Sequence, residues 1–310
     1  MRESLYFLAG VTSSGKSALA MSWAASQNAE ILSCDSIALY RGMDLGAAKP
    51  SAEDRKRIPH HGLDLAEVTE GFDVSKYERY AQRVVSEVVS RGKKLLVVGG
   101  SGFYLQSFFE PIVDEVVVTD EIREQVENLY ESKGIEGLLD QLRELNEGEP
   151  LGLDELNPRR LLRALERCLG SGLKLSQLRE RFESMPIPYA SFAKQCLWLD
   201  RENEDLEARI ESRTVKMIEM GLIEETETLI ERGFLANPAA CSSVGYRDVC
   251  SYLRNEITRD ELIPAICTST RKLVSKQRKW FRKRFPSSSR NLIHPNKEPR
   301  SDELNWSSGT

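Results

Sequence analysis

Gly10-Val11-Thr12-Ser13-Ser14-Gly15-Lys16-Ser17 is the stretch of this chain whose residue types and spacing most directly specify chemistry. It fits G-x-x-x-x-G-K-S/T, the phosphate loop. Its glycines let consecutive backbone N–H groups turn inward around phosphate oxygens, and Lys16 brings positive charge to them. Ser17 offers a hydroxyl to a Mg²⁺ ion, and the N-terminus of a following helix adds its dipole.

A nucleotide-hydrolysing enzyme built on such a loop also needs a second strand ending in a Mg²⁺-binding Asp. The best candidate, Leu95-Leu96-Val97-Val98, runs instead into Gly99-Gly100-Ser101-Gly102, without an acid. This weakens an ATPase and leaves a small-molecule kinase as the alternative. A carboxylate does end another strand, in Ser33-Cys34-Asp35-Ser36. The carboxyl end of a parallel strand opens beside the phosphate loop, so Asp35 faces whatever binds there. From residue types alone Asp35 reads equally well as a turn cap, and Ser101 as the cap of a helix after Gly100.

These side chains need a sheet behind them. Leu5 to Gly10 reads as a short buried strand and Lys16 to Ser26 as a helix, with further strands at Glu30 to Ser33 and Lys94 to Val98 and a helix over Ser75 to Arg91. Strands alternating with helices imply a parallel sheet. After Pro111 the pattern turns helical, over Asp120 to Ser132, Ile135 to Leu145 and Pro158 to Leu169, until a late strand at Gln195 to Leu199. The expected fold class is α/β, a P-loop NTPase-like three-layer core with a parallel sheet plus an α-helical insertion. Residues 1–115 and 195–285 form the core, 116–194 the insertion and 286–310 a polar tail expected to be disordered.

The 310 residues are 40% hydrophobic and 29% charged, an ordinary soluble composition. No apolar run approaches the ~20 residues of a membrane helix and no signal peptide is evident, so a cytoplasmic monomer without membrane attachment is expected. The six cysteines are scattered singly, and the adjacent His60 and His61 lack metal-ligand spacing. A net charge of −5 conceals a basic segment, since residues 271–284 hold eight Lys and Arg and no acid. On a helix Lys272, Lys276, Lys279 and Lys283 form one stripe, while Leu273, Val274, Trp280 and Phe281 gather on another side. In the insertion Asn157-Pro158 reads as a cap and first turn, after which Arg160, Arg163 and Arg167 share a face. Judged alone, such arginines fit an ordinary solvated surface better than an RNA-binding one.

The chain resembles the tRNA dimethylallyltransferases, or tRNA isopentenyltransferases, of the bacterial type, without the zinc finger of eukaryotic members. Beyond the phosphate loop, the likeness rests on Asp35-Ser36, Tyr40-Arg41-Gly42-Met43-Asp44, Gly46-Ala47-Ala48-Lys49-Pro50, Pro59-His60-His61 and Leu63-Asp64. It continues through Val98 to Tyr104, Asn157-Pro158-Arg159-Arg160, Arg163 to Glu166, Gly221-Leu222, Val244-Gly245-Tyr246-Arg247 and Lys276 to Trp280. Val11 replaces a usual Pro and Ser101 a usual Thr; neither removes a catalytic group.

The resemblance implies that residues 10–17 hold dimethylallyl diphosphate with Mg²⁺ at Ser17, and that the acceptor is the exocyclic amine of an adenine in the tRNA anticodon stem-loop. Lys16, Asp35 and Ser101 are the implied catalytic residues. The implied tRNA contacts are Asp35, Ser36, Ile37, Ala38, Ser101, Arg123, Arg159, Arg160, Leu161, Leu162, Arg163, Arg247, Lys276 and Lys279. The insertion is expected to close over the RNA.

Overall fold

β1 (Ser4–Gly10) sends Leu5, Phe7 and Ala9 to one face of a sheet and Leu8 to the other, the alternation inherent in a strand. The computed structural model describes residues 2–308 except 113, 115, 295, 296, 299, 302, 303 and 305. After the phosphate loop come α1 (Lys16–Gln27), β2 (Ala29–Cys34), α2 (Ala52–Arg57), β3 (His60–His61), α3 (Val74–Ser90), β4 (Lys94–Gly99) and α4 (Gly102–Gln106). On one face, Leu19, Ala20, Trp23 and Ala24 of α1 pack against Leu8, Ile31 and Leu96. On the other, Tyr77, Ala81, Val84, Val85 and Val88 of α3 meet Leu5, Phe7, Leu95 and Val97. These are the expected three layers.

The chain divides into two units, Met1–Glu110 with Tyr189–Thr310, and Pro111–Pro188. The second unit holds α5 (Asp120–Leu145), α6 (Pro158–Ser171) and α7 (Leu175–Glu183). Its own core includes Val126, Leu138, Leu142, Leu161, Leu165 and Leu178. The two helices expected over 120–145 are one element broken at Gly134, where φ is 62° and ψ is −154°.

The chain returns to the sheet as β5 (Ala193–Arg201), then runs through α8 (Asn203–Glu219), α9 (Leu222–Glu231), α10 (Pro238–Cys241), α11 (Tyr246–Leu253) and α12 (Arg259–Arg284). It ends with β6 (Arg290–Ile293) and β7 (Ser307–Ser308). The strand order is β3-β2-β4-β1-β5-β6, with β7 also on β5. Every pairing is parallel except β5 with β7. From β1 the chain goes first to the β2 side and later to the β5 side, so the loop after β1 lies where the strand order reverses, the usual ligand position in such sheets.

The described part of the tail, expected to be disordered, carries two short strands. β6 and β7 pair with β5, and Trp306 lies 5.3 Å from the Tyr6 ring and 5.4 Å from Trp23. A short strand needs no apolar period of its own when a neighbouring edge supplies its hydrogen bonds.

Candidate active site

The phosphate loop is held from behind. Arg201 Nε, from a fully buried guanidinium, donates to the Ser14 carbonyl at 2.9 Å, and Arg209 Nε donates to the Ser13 carbonyl at 3.1 Å. Glu298 of the tail pairs with both arginines, at 3.2 and 2.7 Å. With those carbonyls satisfied from one side, the start of α1 faces the other. Gly15 precedes it at φ +92°, a conformation that resists a Cβ, and no side chain caps the first helical N–H groups. The Ser13 and Ser14 hydroxyls are buried without a hydrogen-bond partner. Uncapped donors and orphaned hydroxyls are the chemistry an anion completes.

Lys16 Nζ donates to the Val11 carbonyl at 3.3 Å. Burial, then the nearby Arg213 charge, pull the Lys16 pKa down to about 8 against an upward pull from Asp35. Arg213 is itself enclosed; burial disfavours its charged form and Asp35 favours it. A cavity of about 940 Å³ is lined by Lys16, Ser17, Asp35, Ala38 and Arg213, with Met21, Ile31 and Val98 among its apolar wall. A second, of about 660 Å³, is bordered by Ser13, Gly15, Lys16, Ser17, Arg209 and Arg213. A small one of about 110 Å³ is bordered by Thr12, Ser13, Asp35, Ile37 and Arg213. Arg213 therefore borders all three, together with residues of the phosphate loop in each and with Asp35 in two of them.

The turn-cap reading of Asp35 holds for one oxygen. Oδ1 accepts from Ile37 N–H at 2.9 Å and Ala38 N–H at 3.3 Å. Oδ2 has no hydrogen-bond partner among the described residues, so the turn engages one oxygen and leaves the other unpaired. Ser101 precedes α4 but makes no side-chain cap bond. Its Oγ accepts from Ser36 N–H at 3.0 Å and donates to Ser36 Oγ at 3.3 Å. Ser101 lines none of the three cavities and acts on the Asp35-Ser36 turn.

Several expected contacts change in detail. Gly10 and Val11 shape the loop from below; Val11 is fully buried. Thr12 lines two of the cavities, but its N–H donates to Gln277 Oε1 at 2.9 Å and is not available to phosphate. Leu161 departs from the expectation: its side chain is fully buried in the helical unit's core and is not presented at the surface, and Leu162 is packed beside that core. In the same unit Arg159 is exposed, Arg160 lies 4.0 Å from Asp154, Arg163 pairs with Glu166 at 2.7 Å and Arg123 with Asp120 at 3.0 Å. Arg247 is about half exposed and donates to Ser269 Oγ at 2.8 Å. Along α12, Val274 and Phe281 are buried while Lys272, Lys276, Lys279 and Lys283 are exposed, with no acid partner among the described residues. Arg278 is instead spent on the buried Asp200, at 2.8 Å.

Sequence reasoning missed Arg209, Arg213 and Gln277. Arg209 and Arg213 are four apart on α8, flanking the buried Leu206, Ile210 and Thr214. That spacing announces two cations on one helix face.

Sheet order, loop and cavities define a phosphate-loop α/β protein whose anion cradle opens onto an acidic side chain from the adjoining turn. Within that class, the family model described as IPP transferase matches residues 38–284, and the chain belongs to the IPP transferase family. It is 42% identical to a tRNA dimethylallyltransferase of Opitutus terrae over 92% of both chains. It is 36% identical to one from Geobacter metallireducens, over 90% of this chain and 89% of that one. Among solved structures it resembles the tRNA isopentenylpyrophosphate transferase of Bacillus halodurans, with TM-score 0.66 and 27% identity over 94% of this chain and 90% of that one.

Proposed function

We propose that this chain transfers the dimethylallyl group of dimethylallyl diphosphate to the N6 amine of the adenine 3′ of the anticodon in tRNA, releasing diphosphate. The observation that carries the reading is a single cavity lined by Lys16, Ser17, Arg213 and Asp35. Cleavage of the allylic carbon–oxygen bond places negative charge on the departing diphosphate. Lys16, Arg213 and the N–H groups at the start of α1 meet that charge, the kind of fixed electrostatic stabilisation that contributes most to catalysis. The amine nitrogen attacks the allylic carbon, and its proton passes to Asp35 Oδ2. A carboxylate is too weak a base to strip a neutral aromatic amine, but becomes competent once nitrogen has bonded to carbon. Asp35 therefore acts late, and Ser101 steadies the turn that aims it.

Among the described residues no cluster of three or more His, Cys, Asp or Glu could hold a metal. Ser17 at the phosphate loop suits an ion that takes most of its oxygens from the diphosphate, so Mg²⁺ fits as a companion of the substrate and would add charge neutralisation to the leaving group. A kinase is disfavoured because β4 ends at Gly99 and runs on into Gly100 and Ser101, where that chemistry needs an acid.

Unmodified tRNA, Mg²⁺ and labelled dimethylallyl diphosphate should yield isopentenyladenosine after digestion of the RNA. Absence of label from RNA, under conditions where a known transferase works, would sink the proposal. The target base must leave its stack, which is cheapest in a single-stranded loop. Its RNA is held by exposed cations, Lys276 and Lys279 foremost, and a tRNA substrate places the protein in the cytoplasm, where we take it to act as a monomer. Each lysine that neutralises a phosphate contributes about 0.7 to 0.9 to the slope of log affinity against log salt. The combined change Lys276→Ala and Lys279→Ala should flatten that slope by about 1.4 to 1.8 and leave dimethylallyl diphosphate binding intact. Parallel salt series for the two proteins would show that the stripe does not touch RNA phosphates.

A further inference from the structure

We infer that Gln277 is a positioning residue for the transfer, setting the distance between the diphosphate cradle and the turn that carries Asp35. The inference rests on the reading above. Gln277 is buried on α12, its Oε1 accepting from Thr12 N–H at 2.9 Å and its Nε2 donating to the Gly100 carbonyl at 3.1 Å. The amide can sit only one way round, because a backbone N–H needs an acceptor and a carbonyl needs a donor. One side chain thus joins the loop after β1 to the loop after β4. Gly100 leads directly into Ser101, and Ser101 Oγ holds Ser36 N–H beside Asp35. The connection runs Thr12, Gln277, Gly100, Ser101, Ser36, Asp35.

The packing leaves this bridge little freedom. A Cβ on Gly100 would lie 2.4 Å from Gln277 Nε2, so only glycine admits the amide this closely. One turn along α12, the Trp280 ring lies against Gly102. The exposed Lys276 and Lys279 flank Gln277 in sequence, so the turn of α12 that presents cations outward grips the phosphate loop inward. Gln277 touches no reacting atom; its effect is on alignment. A misplacement of about 1 Å between reacting groups can cost about 10² in rate.

Gln277→Met keeps the volume and removes both hydrogen bonds. It should lower kcat on tRNA by about 10 to 100-fold at saturating dimethylallyl diphosphate, with the KM for tRNA within about twofold. Hydrogen exchange at the Thr12 amide should quicken by about tenfold or more without a comparable change elsewhere in the sheet. Gly100→Ala, which displaces the amide from the opposite end, should reproduce both effects. The inference is overturned by unchanged Thr12 protection, by kcat within about twofold of the parent, or by a kcat loss matched by lost tRNA binding and a general fall in exchange protection. A parent protein that transfers nothing to tRNA would sink the functional reading instead, while the exchange measurement still decides whether Gln277 holds the loop.

Discussion

With Asn in place of Asp35, turnover on tRNA should fall by about 10² or more while diphosphate binding stays the same or tightens. The substitution isolates one oxygen. Asn keeps an acceptor where Oδ1 receives the Ile37 and Ala38 N–H groups, at 2.9 and 3.3 Å, so the turn is preserved. What disappears is a proton acceptor at Oδ2 and the negative charge that the site sets against Lys16 and Arg213. Losing that charge removes a repulsion against bound diphosphate, which is why affinity for it should not drop. Measured kcat for tRNA, with the dissociation constant of a non-reacting dimethylallyl thiolodiphosphate, separates the two effects. If the Asn variant turns over at the parent rate, Asp35 is only the cap of its turn.

Residues that act through local sequence were legible, and residues that act across the fold were not. The phosphate loop declares itself because glycine, lysine and serine are needed at fixed spacings within one turn, and Asp35 because it ends a strand whose neighbour is predictable. Gln277 and Arg213 reach the same place from helices far along the chain, and nothing near them in sequence names Thr12 or Asp35 as the partner. The strands that carry the site, β1, β2, β4 and β5, read from their apolar runs because parallel strands are buried on both faces. β6 and β7 could not be read that way, since they take their order from the edge of β5. Ser101 was legible as a residue of interest but not as to its work, because a Ser before a helix usually caps it and this one turns to Ser36 instead.

Lys16→Ala should differ in kind from the Asp35 change, weakening diphosphate binding and turnover together, because Lys16 meets the diphosphate oxygens in the bound substrate and meets them more strongly as charge builds on the departing group. Its titration gives the sharper test. In the free protein burial and Arg213 leave the Lys16 pKa at about 8, so the side chain is charged below that pH and loses its proton above it. A bound diphosphate favours the charged form and must raise that pKa. Between the free and bound values, binding then takes up a proton at Lys16, and affinity declines with rising pH across that window. At pH 9, calorimetry of dimethylallyl thiolodiphosphate in two buffers of different ionisation enthalpy should find close to one more proton taken up by the parent than by Lys16→Ala; at pH 7 the two should agree. Subtracting the variant removes the ligand's own ionisation from the comparison. Equal proton uptake in both proteins at pH 9 would mean that Lys16 does not change its charge on binding; if Lys16→Ala still weakens binding, the side chain is already charged in the free protein at that pH.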